Sequence, residues 1–242
     1  TALELERLSN ASGPTVGALV RPSDRRPPRS LALVQCVGSR DARHHRYCSG
    51  FCCMYTLKNA IALKVAQPDL DITLFYIDIR TPAKGYEEFY QRARELGIRF
   101  IQGRPAAIVE DPASHNLRLR AEDIGLGQAV EIEAELVVLS TAAEPRADAT
   151  DLAEALAIPR DGDGFFTEYH PKLRPVDTPI EGVFLAGAAQ GPKDIPSSVA
   201  QGSAAAARAA RILTSSSQRI EPTVAYVWPE RCASAQGKRC GL

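Results

Sequence analysis

The chain has 242 residues, 45% of them hydrophobic, and its 29 Lys and Arg are balanced by 29 Asp and Glu, which is enough apolar material for one large or two small cores. A formal net charge of zero sets up no global field that would draw nucleic acid or an anionic membrane surface, so proteins or small molecules are the expected partners. Charge interrupts every apolar run well short of the roughly twenty residues that cross a bilayer, and Thr1-Ala2-Leu3-Glu4 has neither the basic nor the apolar part of a secretory leader, so a cytoplasmic protein without membrane insertion is expected.

In chain order, residues 1–30 carry Pro14, Pro22, Pro27 and Pro28 among scattered polar residues and read as an extended connecting segment. Residues 31–37 form a short β-prone run that stops at Gly38-Ser39, as a buried parallel strand would. From 51 to 66 the apolar residues Met54, Leu57, Ile61 and Val65 recur at helical spacing, with Lys58, Asn59 and Lys64 elsewhere, and Pro68 ends the helix. A strand at 72–77, a helix at 85–96 and a strand at 98–101 continue a βαβαβ alternation, which implies a parallel sheet. Residues 117–121 and 129–133 read as a hairpin around Gly125 and Gly127, feeding a buried strand at 135–140. A second unit begins near Arg160, with a strand at 182–187 ending in glycine and an Ala-rich helix at 197–213. Ser215-Ser216-Ser217-Gln218 reads as a linker to a short polar tail holding Cys232 and Cys240.

Four of the six cysteines fall between 36 and 53, a clustering that favours a metal site over disulfide staples. Cys36 closes the first strand, where ligand sites of α/β sheets collect. Cys48 follows in the loop, and Cys52-Cys53 open the next helix, whose N-terminal dipole favours thiolates. Four thiolates can hold an iron–sulfur cubane or a structural zinc, and the spacing C-x11-C-x3-C-C matches neither the usual ferredoxin run nor paired zinc knuckles. Buried or redox-active thiols are the competing interpretation. His44 and His45 are candidate additional ligands, although loop histidines are more often solvated.

Cys36-Val37-Gly38-Ser39-Arg40-Asp41, Tyr47-Cys48-Ser49 and Cys52-Cys53-Met54-Tyr55 with Lys58-Asn59-Ala60 resemble the signature of heterodisulfide reductase A subunits. The resemblance continues through Phe75-Tyr76-Ile77-Asp78-Ile79-Arg80, Gly85-Tyr86-Glu87-Glu88-Phe89-Tyr90, Gly164-Phe165-Phe166 and Gly191-Pro192-Lys193-Asp194-Ile195-Pro196, and covers roughly residues 15–213. It implies an α/β flavoprotein of the thioredoxin-reductase type, with two dinucleotide-binding domains, in which Cys36, Cys48, Cys52 and Cys53 bind a [4Fe–4S] cluster and Lys58 approaches flavin N5. It also implies FAD contacts from Gly187, Gly191, Pro192, Lys193, Asp194, Ile195 and Ser198. Where related flavoproteins have an acidic residue after the first glycine pair, Ala188 and Ala189 stand here.

On this resemblance the expected division is 1–30 as a connecting segment, 31–145 as an inserted NAD(P)-domain-like unit carrying the cluster, 146–214 as the second part of an FAD domain, and 215–242 as a linker and the start of a ferredoxin-like tail. No G-x-G-x-x-G follows a predicted strand, so the first FAD-binding βαβ unit is expected on an N-terminal segment outside these residues or on another chain. The absence of an initial Met and the late Cys232 and Cys240 likewise suggest a piece of a longer polypeptide. NAD(P)H is expected not to bind the turn that holds Cys36 and Gly38-Ser39. The implied function is electron transfer between FAD and the cluster, and onward to other iron–sulfur or heterodisulfide reductase-like subunits. Two alternatives remain: a zinc-stabilised structural or assembly module with a vestigial flavin site, and a flavin-linked dithiol oxidoreductase using Cys52-Cys53.

Overall fold

The computed structural model describes residues 1–217 and 228–231. The chain opens with helix α1 (Ala2–Ser9), capped by Thr1 and Glu4 in a reciprocal capping box. Strand β1 (Ser30–Val37) leads to α2 (Cys52–Ala66), β2 (Asp71–Tyr76), α3 (Tyr86–Glu95) and β3 (Arg99–Gln102). Then come β4 (Ala107–Glu110), β5 (Leu117–Asp123), β6 (Gln128–Ala134), β7 (Leu136–Thr141), α4 (Ala149–Leu156) and α5 (Ile195–Leu213).

The parallel alternation read from the sequence is present as a four-stranded sheet in the order β3-β2-β1-β7, with every pairing parallel. Because side chains alternate across a strand, β1 supplies two cores at once. Leu31 and Leu33 face α1, α2 and α3 together with Leu57, Ile61 and Leu74, while Ala32 and Val34 face Leu119 and Ala121 of the second sheet. The chain runs outward from β1 to β3 and then returns to β7 on the other side of β1. The switch in strand order therefore lies between the carboxyl ends of β1 and β7, where open α/β sheets place ligands.

Several features depart from the sequence expectations. The segment read as extended begins with a helix, because Thr1-x-x-Glu4 caps it and Leu5 is buried against the sheet. The predicted hairpin gains a third strand, giving an antiparallel sheet β4-β5-β6. On α2, Asn59 is buried and Val65 is exposed, since the helix is covered by α1 and α3 as well as by the sheet. The strand expected at 182–187 makes only an isolated bridge between Phe184 and Asp177, because no neighbouring strand among the described residues offers it a ladder. Helix α4, not foreseen, packs Ala149 and Ala153 against Phe166 and Leu185. Asp177 ties α5 to that small core by accepting from Arg174 and Arg208, at 3.1 and 2.6 Å.

Cys232, Cys240 and most of the tail expected at 215–242 lie outside the described residues. No helix among the described residues is long and apolar enough to cross a membrane. Since Leu57 is wholly buried at the centre of the first core, Leu57→Ala should lower unfolding stability by about 2–5 kcal/mol in a guanidinium titration. The exposed Val65→Ala should change it by less than about 0.5 kcal/mol, and equal losses would contradict this packing.

Candidate cofactor site

The four clustered cysteines reach one region by three different local devices. The first is a bulge at the end of β1. Its pairing with β7 passes from Val34 opposite Leu139 to Val37 opposite Thr141, so β1 carries one extra residue. Cys36 lies within that step in the left-handed region, at φ 58°. Such bulges re-aim side chains beside functional sites, and the strain of a non-glycine residue there is sustained only by surrounding structure.

The second device is the closed loop from 38 to 47. Arg40 and Asp41 donate backbone N–H groups to the carbonyls of Tyr47 and His45, and His45 donates to Gly38. Asp41 accepts from the Arg43 backbone and the Arg104 side chain, which holds its carboxyl far below the usual carboxylate range. The loop delivers Cys48, half-buried, whose sulfur accepts from the Gly50 backbone N–H at 3.3 Å. Gly50 has φ 76°, and a Cβ there would lie 3.8 Å from the carbonyl oxygen of Pro192, so the cysteine loop abuts the segment before α5.

The third device is the start of α2. No side chain caps this helix at Phe51, so its first N–H groups are left to whatever lies at that end. Cys52 and Cys53 are buried there. The buried Gln35 donates to the Cys52 carbonyl at 3.4 Å, and the Cys53 thiol donates to the Asp78 carbonyl at 3.8 Å. Thr56 and Ser140 share a 2.9 Å hydrogen bond that pins the same helix to the end of β7.

The sulfurs are electrostatically linked: burial pushes the Cys36 and Cys53 thiols upward and Cys52 to about 12, and charge on Cys48 raises all three. Only Arg40, facing Cys36, opposes this through a positive side chain. All four are free thiols, with no bridge between Cys52 and Cys53. Among the described residues, no three His, Cys, Asp or Glu side chains are grouped tightly enough to ligate a single metal ion. His45 shares a 2.9 Å hydrogen bond with Glu144, and His44, largely exposed, lies 3.7 Å from Asp41.

Beside the cysteines lies a cavity of about 460 Å³, walled by Phe51, Tyr55 and Lys58 of α2 on one side and Lys193, Asp194 and Ile195 on the other. Two stretches far apart in sequence, both singled out from the sequence, thus face each other. The Lys58 ammonium, half-exposed, is paired with Glu6 of α1. Asp194 caps α5 by accepting from the Ser197 N–H at 2.9 Å. Burial lowers the pKa of Lys193. Gly187, at φ 66°, lies against Ser198, where a Cβ would come within 3.5 Å of the Ser198 hydroxyl oxygen. Gly191 and Pro192 lie just before the cavity wall and are not part of it.

Sequence reasoning gave no role to Arg40, Tyr55 or Asp78, all of which stand beside the thiols. Tyr55 has its phenol pushed up to about 12 by burial and reaches Ser140 as well as the cavity. The signal available was their place inside the quoted sequence blocks, but spacing alone does not orient a side chain.

No family model matches the chain. It is 58% identical over 234 residues to the second iron-sulfur A subunit of CoB–CoM heterodisulfide reductase from Methanopyrus kandleri, covering 96% of this chain and 36% of that protein. It is 50% identical over 238 residues to the corresponding iron-sulfur A subunit of Methanocaldococcus jannaschii, covering 98% and 36%. The chain therefore spans about a third of the length of the curated relatives it matches. Among solved structures, thioredoxin reductase of T. acidophilum superposes with a TM-score of 0.52 at 16% identity, over 78% of this chain and 53% of that one. That likeness establishes the fold type.

In metal-free, reduced protein at pH 8, iodoacetamide should label the half-exposed Cys48 well before Cys52. A thiol with a pKa of about 12 is ionised to about one part in ten thousand at that pH. Equal labelling rates by mass spectrometry would contradict the burial described.

Proposed function

The chain belongs to the family of heterodisulfide reductase A subunits across nearly its whole length, and from that kinship we propose that it is the electron-transfer part of such a protein, holding a [4Fe–4S] cluster on Cys36, Cys48, Cys52 and Cys53 beside an FAD-binding cavity. The observation that carries this proposal is the set of electrostatically linked thiols, Cys36, Cys52 and Cys53 buried and Cys48 half-buried, next to the cavity lined by Lys58 and the start of α5.

The donor set suits a multi-iron cluster. Four buried thiolates repel one another and are poorly solvated, so they need a centre that supplies several positive charges at once. Zinc on the same four sulfurs is the alternative, and metal together with acid-labile sulfide analysis of the intact protein distinguishes the two.

When bound, the flavin and the cluster supply two-electron and one-electron chemistry respectively. The chain's own residues have more limited tasks. Phe51 and Tyr55 wall the cavity with aromatic surface and keep water from the space between thiols and flavin. Lys58 brings a positive charge to the cavity and so favours the more negative, reduced ring, provided it leaves Glu6. The N-terminus of α5, with its partial positive charge, supports the same bias from the opposite wall, and Gly187, Gly191, Pro192, Lys193, Asp194, Ile195 and Ser198 shape that approach.

The remainder of the FAD site is assigned to an N-terminal segment of the same polypeptide or to another chain. Onward electron transfer is to other iron–sulfur or heterodisulfide reductase-like subunits, in flavin-based bifurcation or confurcation. The expected division into a cluster-bearing unit at 31–145 and part of an FAD domain at 146–214 belongs to this proposal.

In intact protein purified anaerobically, Cys48→Ala should remove the iron absorbance of this site. Lys58→Ala should retain iron and sulfide but lower the flavin potential by about 20 mV, the two-electron equivalent of about 1 kcal/mol for a half-exposed charge. Intact protein containing neither iron nor acid-labile sulfide would sink the proposal, and an unchanged flavin potential would remove Lys58 from it.

A further inference from the structure

Arg40 is set apart from the other arginines of the cysteine loop. Its side chain is 20% exposed, whereas that of Arg43 is 82% exposed. Its backbone is held in the left-handed region, at φ 54°, by the hydrogen bond from its N–H to the Tyr47 carbonyl at 3.0 Å. Its guanidinium is gripped by Asp78, Nη1 to Oδ1 at 2.5 Å, and also faces the sulfur of Cys36. Asp78 in turn accepts the Cys53 thiol on its backbone oxygen and is braced by Arg80 Nε at 3.3 Å. The ion pair therefore spans the sides of two cysteines that lie on different secondary-structure elements. At Cys36 the cation outweighs the Asp78 carboxylate, while at Cys53 the carboxylate is the charge that is felt.

We propose that Arg40, fixed by Asp78, sets the reduction potential of the cluster by holding a positive charge against the Cys36 sulfur; the inference rests on the cluster assignment above. One-electron reduction, with the electron supplied by reduced flavin, makes a four-thiolate centre more negative by one charge. No bond is made or broken and no proton moves. A guanidinium beside a ligand sulfur interacts more strongly with the more negative form and so favours reduction. The Asp78 carboxylate is half-exposed to water and acts on Cys36 more weakly than Arg40 does, as solvent screening of an exposed charge requires. In this role Arg40 acts through Cys36 and is a positioning residue rather than a catalytic one.

The test is an EPR-monitored redox titration of the intact holoprotein and its Arg40→Gln and Arg40→Lys variants, following the signal that Cys48→Ala abolishes, with iron and sulfide measured in each. Arg40→Gln is expected to keep its iron and sulfide and to lower the reduced-to-oxidised ratio at a fixed poise about tenfold, equivalent to about 59 mV for a one-electron couple. Arg40→Lys, which preserves the charge, is expected to recover most of that shift. Full cluster content with an unchanged potential in Arg40→Gln would overturn the proposal. So would a lysine variant displaced as far as the glutamine one, since shape rather than charge would then be responsible. Loss of iron from both variants would make the pair of Arg40 and Asp78 purely structural, again against the proposal. A wild-type protein without iron and sulfide would overturn the cluster assignment itself, an outcome separable from all of these.

Discussion

Burying four acidic sulfurs together is the constraint around which this structure is organised. Burial raises the pKa of Cys36, Cys52 and Cys53, and charge on Cys48 raises all three further. Without a compensating centre the group is stable only as neutral thiols. The local architecture works against that neutral state: α2 starts without a side-chain cap, directing unsatisfied N–H groups and its positive dipole end toward Cys52 and Cys53. A bulge at φ 58° turns Cys36 into the same space. In the proposed assignment one multiply charged centre would offset the repulsion between these sulfurs and face the open end of α2.

The same helix links the thiols to the cavity. Lys58 follows Cys52 by six residues, which at the rise of an α-helix is about 9 Å along its axis. Tyr55 lies between them, its ring against Phe51 and its phenol by Ser140. Any movement of α2 would change ligand geometry and cavity shape at once. Its anchoring is accordingly heavy: Leu57, Ala60 and Ile61 in the first core, and Thr56 hydrogen-bonded to Ser140. Packing of this kind fixes the thiols relative to the cavity wall without a flexible element.

The parallel sheet and the start of α2 at Cys52-Cys53 were legible in the sequence because both rest on local patterns. Residues 31–37 form a β-prone run, and Cys52-Cys53 mark a helix start whatever lies around them. The cavity was only half legible. Lys58 and the stretch from Lys193 to Ile195 were singled out through the family resemblance, but their meeting across the cavity depends on the Gly50 turn resting on Pro192, a contact between segments some 140 residues apart in sequence. The strand expected at 182–187 failed for a related reason: β propensity cannot form a ladder without a neighbour, and Phe184 has only Asp177. Helix α1 was overlooked although Thr1 and Glu4 spell its cap, because the prolines further along the segment dominated the pattern.

The crevice between β1 and β7 is where a sheet of this topology ordinarily takes a dinucleotide, with glycines in the first turn allowing a phosphate to approach the backbone. Here the left-handed positions in that turn are taken by Cys36 and Arg40 as well as Gly38, so the space beside the backbone is filled by a sulfur and a guanidinium. A pyrophosphate would have to displace both, and the Arg40 guanidinium is already engaged by Asp78. The helix N-terminus that would receive the phosphate charge instead carries two thiols. The same two features of the fold, a switch in strand order and a helix dipole, serve an anionic inorganic ligand as readily as an organic one, and side chains in a single turn decide between them.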